Sequence, residues 1–195
     1  MGRPTRKCVP NVIYHTYSRC IDLGHLLKPD QMKDQFLIAV KKAQETYNFH
    51  FYNFVIMNTH FHLAIGTIED EATISQIMQL IKSLFARAYN KLMNRTGPVW
   101  NERFKDKIIE DSDDPEFYAN WLTHYLGNNP VLANLVKDPR DYKYSGFNYY
   151  VDPNYEPPVK MTHHKYFLKL GNTFAERAQK LLGYEFLYQK TLSFT

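Results

Sequence analysis

Cysteine is scarce in this chain of 195 residues: Cys8 and Cys20 are the only two. Two widely spaced thiols make neither a disulfide framework nor a zinc site by themselves, and a reducing cytoplasm is the expected compartment. No run of 18 apolar residues occurs, which excludes a membrane-spanning helix. The start, MGRPTRKCVP, is basic but no apolar segment follows, so no secretory signal is expected. Met1-Gly2 fails as a myristoylation site because Arg6 stands where Ser or Thr is required. The 8 Gly and 10 Pro are scattered and no heptads recur, which excludes collagen and coiled coil. Nucleotide-binding and nucleophile-elbow signatures of the types GxxxxGK[ST], GxGxxG and GxSxG are missing as well.

What is present is one domain's worth of chain, 44% hydrophobic and 23% charged, enough to bury a sizeable core. The net charge of +4 leans slightly toward an anionic partner. Aromatics are plentiful, with 15 Tyr and 13 Phe beside 2 Trp. Tyrosine serves as core filler, stacking surface or nucleophile, and composition does not choose among them.

Hydrophobic patterning gives an order of elements. Residues 11–19 are β-branched and aromatic and read as a strand; residues 29–47 read as an amphipathic helix opened by Pro29. The stretch 49–66 is too long for one strand, and Met57-Asn58-Thr59 divides it into strands near 49–56 and 60–66. A helix over 73–94 follows, then a strand or hairpin over 99–110, then a helix near 115–128. Pro130 is expected to interrupt that helix, with a short helical continuation after it. The order β-α-β-β-α-β-α predicts an α+β fold: a ferredoxin-like antiparallel sheet with helices on one face. The expected division is a domain over 1–150 and a linker with a helical C-terminal tail over 151–195.

His60-Phe61-His62 opens an apolar strand. Side chains at i and i+2 share a strand face, so the two imidazoles point one way and Phe61 the other. Such a pair needs only a third ligand to hold a divalent cation; the bland alternative is two solvent-facing histidines. Tyr125 and Asn129, four apart, share a helix face. The Asn carbonyl is a candidate third ligand, in competition with a capping role ahead of Pro130. Tyr125 is either a packed tyrosine or a nucleophile toward a metal-polarised phosphodiester. Basic residues interleave with aromatics over 82–107: Lys82, Arg87, Lys91, Arg103, Lys105 and Lys107 with Trp100. That pattern suits phosphate contacts and base stacking, and equally a solvated charged face. His15, Tyr17 and Arg19 share a face of the first strand as candidate lining residues.

Several long segments together resemble the REP-associated tyrosine transposases, which are single-tyrosine HUH transposases. YHTYSR at 14–19 is similar to their first strand, and VIMNTHFHLAI at 55–65 to their xMPNHxHLL segment. Residues 74–109 are similar to their long helix and the RFK hairpin after it. HYLGNNPVLANLV at 124–136 is similar to RYIxLNPVRAGLV, and DPRDYKYSG at 138–146 to their P-x-D-Y-x-x-SS segment. Departures are Asn58 for Pro, Thr59 for Asn, Leu132 for Arg and Asn134 for Gly. Leu132 removes a candidate phosphate contact.

The resemblance implies Tyr125 as nucleophile and His60, His62 and Asn129 as ligands of Mg²⁺ or Mn²⁺. It implies cleavage and transfer of single-stranded DNA folded as REP-like hairpins, through a 5′-phosphotyrosine, by a monomer or homodimer in the bacterial nucleoid. It places Arg103 and Lys105 foremost among the DNA contacts. The competing expectations are a domesticated protein that grips hairpin DNA or RNA without cutting, and a metal phosphodiesterase that uses water in place of Tyr125.

Overall fold

A computed structural model describes the backbone of residues 6–192 and the side chains of residues 6–184. Met1-Gly2 and residues 193–195 of the expected tail lie outside the described residues.

Strand β1 (Ile13–Arg19) leads to helix α1 (Asp30–Thr46), then strands β2 (His50–Ile56) and β3 (His60–Gly66). Helix α2 (Ile74–Leu92), strand β4 (Lys105–Ile108) and helix α3 (Pro115–Leu132) follow. The sheet order is β2-β3-β1-β4 with every neighbouring pair antiparallel, which is the expected ferredoxin-like arrangement. Of the expected 99–110 strand or hairpin, the last part forms β4, preceded by a lone bridge between Cys20 and Trp100.

Strand alternation assigns the faces. Tyr14, Thr16 and Ser18 of β1 and Phe61, Leu63 and Ile65 of β3 are buried toward α1 and α2. There Phe61 and Phe85 flank Phe36 with ring centroids at 4.5 and 5.6 Å, and Trp100 closes on Phe61 at 5.3 Å. Helix α2 is fixed at its start by a capping box, in which Thr73 accepts from the Gln76 amide and Gln76 accepts from the Thr73 amide. His15, Tyr17, His60 and His62 point to the opposite face, which α3 crosses.

Helix α3 begins as composition predicts, with Asp114 accepting from the Phe117 amide and Pro115 in the first turn. It departs from expectation at Pro130, which lies inside the helix. Pro130 removes one donor only two residues before the helix ends, and the loss is confined to that turn. The end itself is a Schellman closure: the Leu135 amide donates to Pro130 O and the Asn134 amide to Val131 O. Asn134 takes φ 54, the left-handed conformation that Gly or Asn accepts. The Asn-for-Gly departure is thereby conservative. Asn129 is consequently a helical residue and not the N-cap of a second segment.

Beyond α3, short helices α4 (Asn148–Val151) and α5 (Lys165–Leu168) precede α6 (Phe174–Leu192). These return to α3: His124 Nε2 lies 2.7 Å from Leu181 O, and Gly127 lets Phe147 approach where a Cβ would stand 2.6 Å from its ring. No described helix is long and apolar enough to cross a membrane.

Candidate active site

Register brings the site together. In the β1–β3 ladder Tyr17 lies opposite His62 and Arg19 opposite His60, and in the β1–β4 ladder His15 lies opposite Lys107 and Tyr17 opposite Lys105. All seven side chains therefore share the face that α3 crosses.

His62 is the best enclosed of them, 6% exposed. Its ring stacks on Tyr17 at 5.3 Å and meets His60 and Tyr125 edge-on at 5.2 and 5.4 Å. His62 Nδ1 is 3.0 Å from His15 Nε2, and His15 Nδ1 is 3.1 Å from the Tyr118 hydroxyl. Burial, with a smaller push from neighbouring positive charge, holds His62 well below the usual histidine range. Burial and Lys107 hold His15 at about 4, and burial and Arg19 lower His60. These imidazoles are therefore neutral at pH 7, the form that donates a lone pair.

Asn129 turns one edge to its own helix and the other to β3. Its Nδ2 donates to Tyr125 O at 2.8 Å, while the side chain also hydrogen-bonds His60. His60 Nδ1 lies 3.0 Å from Thr59 Oγ1, which orients the ring. Tyr125 lies flat against Trp121, 5.1 Å away and 13° from parallel, and Trp121 lies in turn against Tyr118 at 5.8 Å. The three occupy i, i+3 and i+7, one stripe of α3 facing the histidines. Burial and the proximity of Tyr125 push the Tyr118 phenol up to about 12, so Tyr118 remains a hydroxyl.

Among the described residues no group of three or more His, Cys, Asp or Glu could hold a metal ion. A cation on this face would take two imidazoles and the amide oxygen of Asn129. The donor types fit Mg²⁺ or Mn²⁺ with positions left open for phosphate. His62 Nδ1 is engaged by His15, which leaves Nε2 as the nitrogen for such a role.

The predicted DNA contacts divide into two groups. Arg103, Lys105 and Lys107 are exposed and line a cleft of about 760 Å³ with His15, Tyr17 and Tyr118, beside the candidate site. The Lys107 ammonium sits 4.3 Å from the centre of the Tyr118 ring. Lys82 and Trp100 sit across the sheet, in a second cleft of about 640 Å³ against α2. There Lys82 donates to Ser18 Oγ and Glu102 O, burial lowers it to about 8, and Trp100 donates to Lys82 O. Arg87 and Lys91 are exposed on α2, away from His62. Arg103 and Phe104 belong to both clefts and form the wall between them. Sequence reasoning did not single out Tyr118 or Trp121; their spacing of seven and four residues before Tyr125 was the available signal.

This chain belongs to the IS200-like transposase family, whose model matches residues 8–118. The match runs from the approach to β1 into α3 and ends before Tyr125. Among solved structures, that of the REP-associated tyrosine transposase bound to a REP hairpin is similar, at 19% identity with a TM-score of 0.64. The alignment covers 85% of this chain and 96% of that one, and the two share a fold. A candidate transposase from Deinococcus radiodurans is 16% identical, over 65% of this chain and 97% of that one, with a TM-score of 0.42. A search of curated proteins found no match.

Proposed function

We propose that this chain is a metal-dependent endonuclease and strand transferase for single-stranded, hairpin-forming DNA, acting through a phosphotyrosine on Tyr125. The observation that carries the reading is the convergence, within one chain, of His60, His62 and Asn129 on the face where Tyr125 meets His62 edge-on at 5.4 Å. Family membership supports DNA cleavage in general, and the REP hairpin held by the structural relative supports the substrate class.

His60, His62 and Asn129 would hold the cation, which supplies Lewis-acid polarisation of the scissile phosphate and stabilises the leaving oxygen. Trp121 and the edge of His62 hold the Tyr125 ring beside the imidazoles, which restricts its hydroxyl to the side where a phosphate would bind. The Tyr125 oxygen bonds to phosphorus, the bond to the 3′ oxygen breaks, the phenol proton passes to solvent and the 3′ oxygen takes one up. A phenol of pKa about 10 is only about one part in a thousand phenolate at pH 7, so this step needs the polarised phosphate. The free 3′-OH and the ester on Tyr125 conserve the bond for rejoining. Lys105, Lys107 and Arg103 line the approach for backbone phosphates, with Arg19 beside His60.

Incubation with hairpin-bearing single-stranded DNA and Mn²⁺ should give a covalent adduct on a denaturing gel, and Tyr125→Phe should abolish it. Cleavage without adduct would instead favour attack by water, and binding without cleavage the domesticated binder.

A further inference from the structure

The hydrogen bonds behind His62 constrain which of its nitrogens carries the proton. Two neutral imidazoles that share one hydrogen bond must be one donor and one acceptor, so the tautomer of either fixes the other. His15 joins His62 at 3.0 Å and Tyr118 at 3.1 Å, and two proton arrangements satisfy both contacts. In the first, Tyr118 donates to His15 Nδ1 and His15 Nε2 donates to His62 Nδ1, which leaves the His62 proton on Nε2. In the second, His62 Nδ1 donates to His15 Nε2 and His15 Nδ1 donates to the Tyr118 oxygen, and His62 Nε2 offers a lone pair. Both hold the same number of protons. Passing from the first to the second releases one proton from His62 Nε2 to solvent, shifts one along each hydrogen bond, and returns one from solvent to Tyr118. Only the second arrangement can bind a cation.

We propose that His15 is a positioning residue for the cation site, accepting the Nδ1 proton of His62 and anchored by Tyr118 so that His62 Nε2 faces the cleft as a donor. This rests on the metal site of the preceding section and adds two residues outside the His-x-His pair. The geometry is specific: His15 is 9% exposed, its ring lies 5.2 Å from that of His62, and each of its nitrogens has one partner. Second-layer hydrogen bonds of this kind orient ligand imidazoles and typically change metal affinity about 10–100-fold.

The test is Mn²⁺ titration of the DNA-free, full-length chain by calorimetry, together with ¹⁵N NMR of the His62 ring without metal. His15→Leu should weaken Mn²⁺ binding about 10–100-fold and move the His62 proton from Nδ1 to Nε2. His15→Gln, whose amide oxygen can accept the same proton, should recover most of the affinity and the Nδ1 tautomer. Tyr118→Phe removes the acceptor for His15 Nδ1–H and should weaken binding several-fold; it carries the test if the Leu variant does not fold. Affinities of His15→Leu, or of the folded Tyr118→Phe, within twofold of the parent overturn the proposal, as does an unchanged His62 tautomer. The two readings fail differently: absence of Mn²⁺ binding by the parent chain overturns the cation site itself. Tight parental binding that survives His15→Leu overturns only the role of His15.

Discussion

Asn129 divides one amide between two neighbours, donating to the carbonyl of Tyr125 and hydrogen-bonding His60 across the gap to β3. It ties the backbone of the candidate nucleophile to a candidate ligand. The opposing possibility, a cap for a helix starting at Pro130, looked equally good in the sequence because Pro disfavours helical backbone before it. The contest was settled at the next turn, where the Schellman closure ends a helix already past Pro130. His60 and His62 were legible individually because strand alternation leaves little choice of face. His60→Ala and His62→Ala should each abolish cleavage while hairpin binding measured by gel shift stays within a few-fold of the parent. Cleavage retained in either variant would contradict the ligand assignment.

At the scale of elements, α3 is the one whose sequence says least about its surroundings. It is packed against the sheet on one side and α6 on the other, so His124, Asn128, Asn120 and Thr123 are all buried and no single apolar stripe emerges. Helices α1 and α2 each cover only one face of the sheet, and their three- and four-residue periodicity was readable for that reason. The placement of α3 depends on Gly127, where a Cβ would meet the Phe147 ring at 2.6 Å. Gly127→Ala should therefore destabilise the fold by about 1–3 kcal/mol in chemical denaturation, and Phe147→Leu in the same chain should recover part of the loss.

The segment that holds α3 from behind also titrates. His164 Nδ1 caps α5 by accepting from the Phe167 amide, its Nε2 is buried without a partner among the described residues, and burial lowers its pKa to about 3. The folded value lies below that of the unfolded chain, near 6.5. The unfolded chain therefore binds the extra proton first, and the contribution of a neutral His164 is complete above pH 6.5 and is lost as pH falls toward 3. His164→Asn keeps a capping side chain and removes the titration. Between pH 4 and 6 its stability should fall less steeply than the parent's, by up to about 1.4 kcal/mol per pH unit, as read from denaturant midpoints at several pH values.

For the whole molecule, both halves of the candidate site come from one chain: the sheet supplies the imidazoles, and α3 of the same copy supplies Tyr125 and Asn129. A copy lacking Tyr125 and a copy lacking His62 should then fail to rescue each other. Mixing Tyr125→Phe with His62→Ala should restore no more than a few per cent of parental adduct, whereas a site shared between copies would restore a substantial fraction. The strand and helix order made the ferredoxin-like sheet readable, but not the path of α3 over its far face. That path is set by contacts with residues 147–181, distant in sequence and without periodicity of their own.

Only two tryptophans occur, and the fold sends them to opposite sides of the sheet. Trp100 packs against Phe36, Phe61 and Phe85, while Trp121 lies against the ring of Tyr125. Replacing Trp100 with Phe would leave one indole, stacked beside the Tyr125 ring. Its fluorescence then becomes an optical gauge of the cleft, so that arrival of DNA beside the Tyr125 ring can be timed without labelling the DNA.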